Sequence, residues 1–186
     1  MPRLIGETIM LREYQEDDFP DIRKWVNHAE TTRFLSSRFW APQTTMDTRQ
    51  FLDNMLQSSH NACNFVIADK QTERYIGQLD LFRLDWKLRC AELGIVIGAE
   101  DERSRGVGRE ALLLLLQYAF DTLGMERVEL TVDMENEQAK RCYERVGFVL
   151  EGVKRHAYFR DGIFSDIGIF SVLSEEWRER AKGKDE

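Results

Sequence analysis

The stretch Arg103-Ser104-Arg105-Gly106-Val107-Gly108-Arg109 decides the reading of this chain. It follows the strand-like run Glu92-Leu93-Gly94-Ile95-Val96-Ile97 and leads into a helical pattern over Gly108–Leu123. Glycines at a strand-to-helix junction let backbone approach a ligand closely, and a helix N-terminus presents unpaired N–H groups to an anion. Arg103, Arg105 and Arg109 add three positive charges to an otherwise acidic sequence. The junction therefore reads as a phosphate or pyrophosphate site, or else as an ordinary loop whose glycines only make the turn. Two familiar phosphate loops fit poorly. A P-loop needs Lys and then Ser or Thr after its last glycine, where this chain has Arg109-Glu110. The dinucleotide fingerprint needs a third glycine at position 111, which is Ala.

Working outward, the pattern before the loop is two helices and then strands. Ile9, Leu11 and Arg12-Glu13 form an early strand, and Glu16-Asp17-Asp18 with Pro20 open a helix carrying Ile22, Trp25 and Val26. Pro42 and Thr44-Thr45 open a second, with Phe51, Leu52, Met55 and Leu56 on its apolar face. Asn64–Ala68, Tyr75–Leu84 and Ala91–Ile97 read as strands, with Asp69–Arg74 as a polar turn. After the loop and long helix, Gly124 sits where a helix stops. Val128–Val132 is a strand, Asn136–Val146 a short helix closed by Gly147, and Arg160-Asp161-Gly162 the turn of a hairpin formed by Phe148–Phe159 and Ile163–Leu173. The chain is expected to be a mixed α/β domain over residues 1–177, with a charged tail over 178–186.

Composition excludes several classes. The 186 residues hold 26 Lys+Arg against 33 Asp+Glu, a net charge of −7, which argues against a nucleic-acid binder. At 42% hydrophobic and 32% charged, the chain is too apolar for disorder. The longest apolar run, Ala111–Leu116, is far short of the ~20 residues of a membrane helix. Met1–Asp17 lacks the apolar core of a secretion signal, and Cys63, Cys90 and Cys142 match neither a disulfide framework nor a zinc pattern. A cytoplasmic protein without a metal, a membrane or a nucleic acid as partner is expected.

At this level of detail the sequence resembles the GNAT N-acetyltransferases, in the branch of ribosomal-protein and spermidine N-acetyltransferases. The family loop Arg/Gln-x-x-Gly-x-Gly/Ala is matched by Arg103, Gly106 and Gly108. Ala91-Glu92-Leu93-Gly94, Glu110-Ala111-Leu112, Tyr118-Ala119-Phe120, Asn136-Glu137-x-Ala139, Tyr143, Gly147-Phe148 and Arg160-Asp161-Gly162 follow in the family's order. Asp101-Glu102 departs from the branch's usual Glu-aromatic pair and adds a residue. The resemblance implies a GNAT fold: one mostly antiparallel central sheet, splayed at its middle and flanked by about four helices.

It also implies acetyl-coenzyme A as cosubstrate. The pyrophosphate would lie on the loop formed by Arg103, Ser104, Arg105, Gly106, Val107, Gly108 and Arg109, the pantetheine arm along the backbone of Ile95, Val96 and Ile97, and Asn136 would touch that arm. Tyr143 matches the general-acid position; a phenol can protonate a departing thiolate, although a core aromatic on an amphipathic helix is the alternative. Glu92 is the candidate base, because the attacking amine must be neutral while an alkylammonium has a pKa near ~10.4; an ion pair at a strand edge is its alternative. Trp25, Glu30 and Phe34 fall where the acceptor amine would bind, with core packing and solvation as the competing readings.

Cys142 reads as a core thiol, and His28, His60 and His156 lack ligand spacing. The expected activity is acetyl transfer to a primary amine by direct attack, the acceptor being a polyamine, a protein N-terminus or a similar amine. A non-catalytic acyl-CoA sensor is one alternative; an enzyme acting on an amino sugar or aminoglycoside is the other. The family also suggests a homodimer through the C-terminal strands.

Overall fold

A computed structural model describes residues 3–57 and 61–182. Its strands are β1 (Leu4–Ile5), β2 (Ile9–Arg12), β3 (Cys63–Asp69), β4 (Tyr75–Asp85), β5 (Cys90–Ile97), β6 (Arg127–Asp133), β7 (Val149–Arg160) and β8 (Ile163–Leu173). Its helices are α1 (Phe19–Trp25), α2 (Ala29–Thr32), α3 (Thr45–Leu56), α4 (Val107–Gln117), α5 (Glu137–Val146) and α6 (Ser174–Lys182). The strands make one eight-stranded sheet in the order β1-β2-β3-β4-β5-β6-β8-β7. The mixed α/β class and the mostly antiparallel sheet are as expected. The exception is the β5–β6 ladder, which is parallel and only three pairs long, from Cys90↔Arg127 to Glu92↔Glu129.

The chain divides into two compact units. In the first, residues 1–82 with 94–115, the helices open on polar caps. Thr44 accepts from the Asp47 N–H while the Asp47 carboxylate accepts from the Thr44 N–H, a reciprocal box that starts α3. Pro20 sits in the first turn of α1, where its missing N–H costs nothing. Their apolar faces cover β2 to β4 through Met10, Ile22, Trp25, Leu52, Val66 and Tyr75, each fully buried side chain of this size contributing roughly 1.5–3 kcal/mol. Arg12 and Asp18 form a buried pair, 2.6 and 2.9 Å, that ties the end of β2 to the start of α1.

The second unit holds residues 83–93 and 116–186. Here β6 and β8 pair over seven residues, and β7 and β8 form the long hairpin read from Arg160-Asp161-Gly162. Asp161 and Gly162 both take positive φ, 52° and 81°, as a two-residue hairpin turn of the I′ kind requires.

Three details depart from expectation. The helix expected over Gly108–Leu123 is α-helical only to Gln117; Tyr118–Thr122 widen into a π turn closed by a Leu123 N–H bond to the Tyr118 carbonyl at 3.0 Å. Among the described residues six helices are present rather than about four, because α2 is a single short turn and α6 is charged. Residues 178–182 of the expected tail belong to α6, held by Trp177 against Phe120 at 6.0 Å and by Arg180 donating to the Arg145 carbonyl at 3.0 Å. Residues 183–186 and His60 lie outside the described residues.

Candidate active site

In the first unit, the chain leaves β5 through a 3₁₀ turn, Glu100–Glu102, and enters α4 at Val107. Ser104 and Gly106 both adopt positive φ, 61° and 89°. Such a conformation is unfavourable for Ser, and Gly takes it without strain. A Cβ built on Gly106 would meet nothing within 4 Å, so the loop is open at that point. The Glu110 N–H is the donor that reaches back to the Gly106 carbonyl, at 3.0 Å. The N–H groups of Val107, Gly108 and Arg109 precede it and lie in the turn that has no intrahelical acceptor. Together with the positive end of the helix dipole, they suit an anion.

The loop arginines do not all point outward. Arg103 donates to the Ile97 carbonyl at 3.3 Å and to the Thr31 hydroxyl, so it braces the loop against β5 and α2. Arg105 lies 3.3 Å from Glu102, whose other oxygen is bonded by Arg74 at 2.5 Å. Arg109 is exposed. The expected contribution of this loop therefore rests on its backbone more than on Arg103.

Ile95, Val96 and Ile97 are each only half-buried, an uncommon state for three successive apolar residues on an interior strand. The chain then turns at Gly98, where a Cβ would run into the indole of Trp25. Trp25 is buried, packs on Phe39 with ring centroids 5.8 Å apart, and donates to the Tyr75 hydroxyl at 3.1 Å. It lines two cavities. One, of about 260 Å³, is bounded by Asp21, Tyr75, Gly98 and Glu100; the other, of about 200 Å³, lies among α1, α3 and β4 and is lined by Ile22, Phe39, Gln43, Phe51 and Gln78. Glu30 is exposed and Phe34 lies under the Arg33 guanidinium, 5.2 Å from its ring; neither lines either cavity. Of the three residues expected at the acceptor, only Trp25 bounds one.

In the second unit, Asn136 caps α5, its side chain accepting from the Ala139 N–H at 3.2 Å. Its amide nitrogen and the second lone pair of its oxygen are what the expected contact with a ligand would use. Tyr143, one face of α5 further on, is buried against Phe148 and Phe170, with centroids 5.8 and 6.5 Å away. Burial first, and Cys142 second, push its phenol well above the usual tyrosine range, so it stays protonated at neutral pH. No hydrogen bond to its hydroxyl occurs among the described residues, which leaves the proton available to an incoming acceptor. Glu92, on β5, is paired with Arg83 at 2.6 Å, and that pairing also raises the guanidinium. Its carboxylate is thus already engaged by a cation. Cys63, Cys90 and Cys142 form no disulfide with one another.

The family model for the acetyltransferase (GNAT) domain matches residues 8–149. The chain is 28% identical over 162 residues to a spermidine N(1)-acetyltransferase of Vibrio cholerae, covering 87% of this chain and 92% of that one. It is 29% identical over 155 residues to an N-acetyltransferase 9-like protein of Nematostella vectensis, covering 78% and 76%. A crystal structure of the Vibrio cholerae spermidine N-acetyltransferase with CoA and spermine shares the fold, with a TM-score of 0.80 at 23% identity over 92% of this chain and 98% of that one. The chain belongs to the GNAT family of N-acetyltransferases, whose members use acetyl-CoA.

Proposed function

We propose that this protein transfers the acetyl group of acetyl-CoA directly to a primary amine, with no covalent enzyme intermediate. The observation that carries the reading is the loop ahead of α4, where Ser104 and Gly106 hold left-handed backbone beside an open space. Bound there, acetyl-CoA supplies an activated acyl group. The backbone of residues 103–109 would hold its pyrophosphate, the backbone of Ile95, Val96 and Ile97 its pantetheine arm, and Asn136 its amide edge. Tyr143, kept protonated by burial, would hand a proton to the departing sulfur. A polyamine is the favoured acceptor class, supported by the 28% identity to a spermidine acetyltransferase over most of both chains; a peptide amine is the competing one. Trp25 would wall the acceptor side.

The reading takes residues 1–177 as one catalytic domain, working in the cytoplasm without a metal, a membrane or a nucleic acid as partner. Among the described residues no helix is long and apolar enough to cross a membrane, and no cluster of metal-ligating side chains occurs. A homodimer through the C-terminal strands is supported by the apolar residues exposed on the hairpin: Val149, Leu150 and Val153 on the edge strand β7, with Ile163 and Phe164 on β8.

The Arg83 pairing favours a holding role for Glu92 over proton abstraction. Glu92→Gln is then expected to cost at most about 1 kcal/mol of stability, as exposed pairs do. Its log(kcat/KM)–pH curve should run parallel to that of the wild type. A rate loss confined to neutral pH and recovered as pH rises would return Glu92 to the catalytic groups. The expected outcome for the function as a whole is release of coenzyme A that depends on an added amine.

A further inference from the structure

An ammonium acceptor must lose a proton before it attacks, and Glu92 is occupied by Arg83. The first unit holds another carboxyl that no ion pair claims. In the β3–β4 ladder, Val66 stands opposite Gln78 and Asn64 opposite Asp80. Side chains two residues apart share a sheet face, so Asp80 lies on the face of Val66, which is packed with Tyr14, Trp25 and Tyr75. Asp80 is partly buried as a residue, yet its Oδ1 is closed to solvent and has no hydrogen-bond partner among the described residues. The Tyr14 hydroxyl is closed off and unpartnered in the same way. The neighbouring polar groups are satisfied: Trp25 donates to the Tyr75 hydroxyl, which donates to Gln78, both at 3.1 Å.

Buried polar atoms without partners are uncommon, because each loses its hydration with nothing to replace it. Three lie in this unit: the Arg12 Nε, whose guanidinium is otherwise bonded to Asp18, and the Tyr14 hydroxyl and Asp80 Oδ1, which are electrostatically coupled to each other and have room for a group that arrives from outside. Neither atom lines a cavity itself, but neighbours of both do. Phe51 packs edge-on against Tyr14, with centroids 6.1 Å apart, and both Phe51 and Gln78 line the cavity of about 200 Å³. Burial pushes the Asp80 carboxyl up to about 7, against a lowering hydrogen bond from the Phe65 N–H. Both the Tyr14 and Tyr75 phenols are driven upward, by burial first and by the Asp80 charge among lesser causes, and so remain protonated. The charged groups around this face are the Arg12–Asp18 pair, Asp21, Arg23, Arg38, and Asp47 at the head of α3. None of them pairs with Asp80 among the described residues.

We propose that Asp80 is the general base of the acetyl transfer, taking the proton of an ammonium that enters the cavity among α1, α3 and β4, with the Tyr14 hydroxyl of the same core as hydrogen-bond donor to the incoming group. The proposal rests on the acetyltransferase reading above. An N–H bond of the ammonium breaks, its electron pair stays on nitrogen, and the proton passes to an Asp80 oxygen directly or through one water. The neutral amine then attacks; its second proton leaves with the sulfur, and Asp80 returns the first to solvent.

Asp80→Asn keeps the shape and removes the base. On an amine that the wild type acetylates, kcat/KM at pH 7 should fall by about 100-fold or more. The deficit should shrink as pH rises toward the pKa of the amine, while calorimetric acetyl-CoA affinity is unchanged. A second readout needs no turnover. A carboxyl raised in the folded state lets the native protein hold a proton that the unfolded chain has lost. Stability therefore falls as pH climbs from about 4, the unfolded value, to about 7, and is flat above it. Asp80→Asn should lack that part of the slope. Should this variant fail to fold, Tyr14→Phe, which removes only a hydroxyl, should lower kcat several-fold and move the acidic limb of the wild-type rate profile. A wild-type rate profile without an acidic limb near pH 7, or parallel wild-type and Asp80→Asn profiles, would overturn the assignment and leave the acetyltransferase reading standing. A wild type inactive on every amine would overturn both, even with the stability slope present.

Discussion

Tyr143→Phe is expected to lower kcat by about 100-fold or more while acetyl-CoA binding and thermal stability stay close to those of the wild type. The size follows from the usual contribution of a positioned proton donor. The sparing of the fold follows from the packing. The ring of Tyr143 is held by Phe148 and Phe170, and Phe fills the same space. Its hydroxyl bonds no group among the described residues, so deleting it leaves no buried partner stranded. Steady-state kinetics with calorimetry of acetyl-CoA measures both quantities. A kcat within a few-fold of the wild type would make Tyr143 a core aromatic and no more, the alternative that its burial alone also allows.

Gly106→Val should weaken acetyl-CoA at least about tenfold, or ~1.4 kcal/mol, in a protein that still folds. The backbone at Gly106 sits at φ 89°, where a β-branched residue is a steric outlier. No protein atom lies within 4 Å of the position its Cβ would take. The cost must therefore appear as loop strain and as bulk in the open space, not as a clash with the core. Calorimetric titration with acetyl-CoA reads the effect; equal affinity in the two proteins would place the pyrophosphate elsewhere.

The parts of the fold legible in the sequence were those with strong local signals. The I′ hairpin turn at Asp161-Gly162, the Asn136 and Gly147 ends of α5 and the capping residues of α3 each announce themselves within a few positions. The π turn at Tyr118–Thr122 is invisible because its apolar pattern continues that of α4. Helix α6 reads as a tail because Trp177 is its one large apolar residue. For the candidate site, the loop was legible because glycine and charge coincide in seven residues. The surroundings of Glu92 were not, since its partner Arg83 lies across the β4–β5 turn and nine positions away. The cavity proposed for the acceptor was the least legible part. Phe39, Phe51 and Gln78 come from three separate elements, and nothing in their spacing distinguishes them from ordinary core. Asp80 stands on β4 between Leu79 and Leu81. A carboxylate flanked by leucines was the available signal.

The most direct test of the central claim is a coenzyme A release assay with acetyl-CoA over a panel of primary amines. The panel should include spermidine, short peptides with free N-termini, an amino sugar and an aminoglycoside, with the N-acetyl product identified by mass. The expected result is release that requires an amine, matches the N-acetyl product one for one, and is fastest on the polyamine. Tight acetyl-CoA binding with no release on any amine would contradict the claim and leave a cofactor-binding domain that does not turn over.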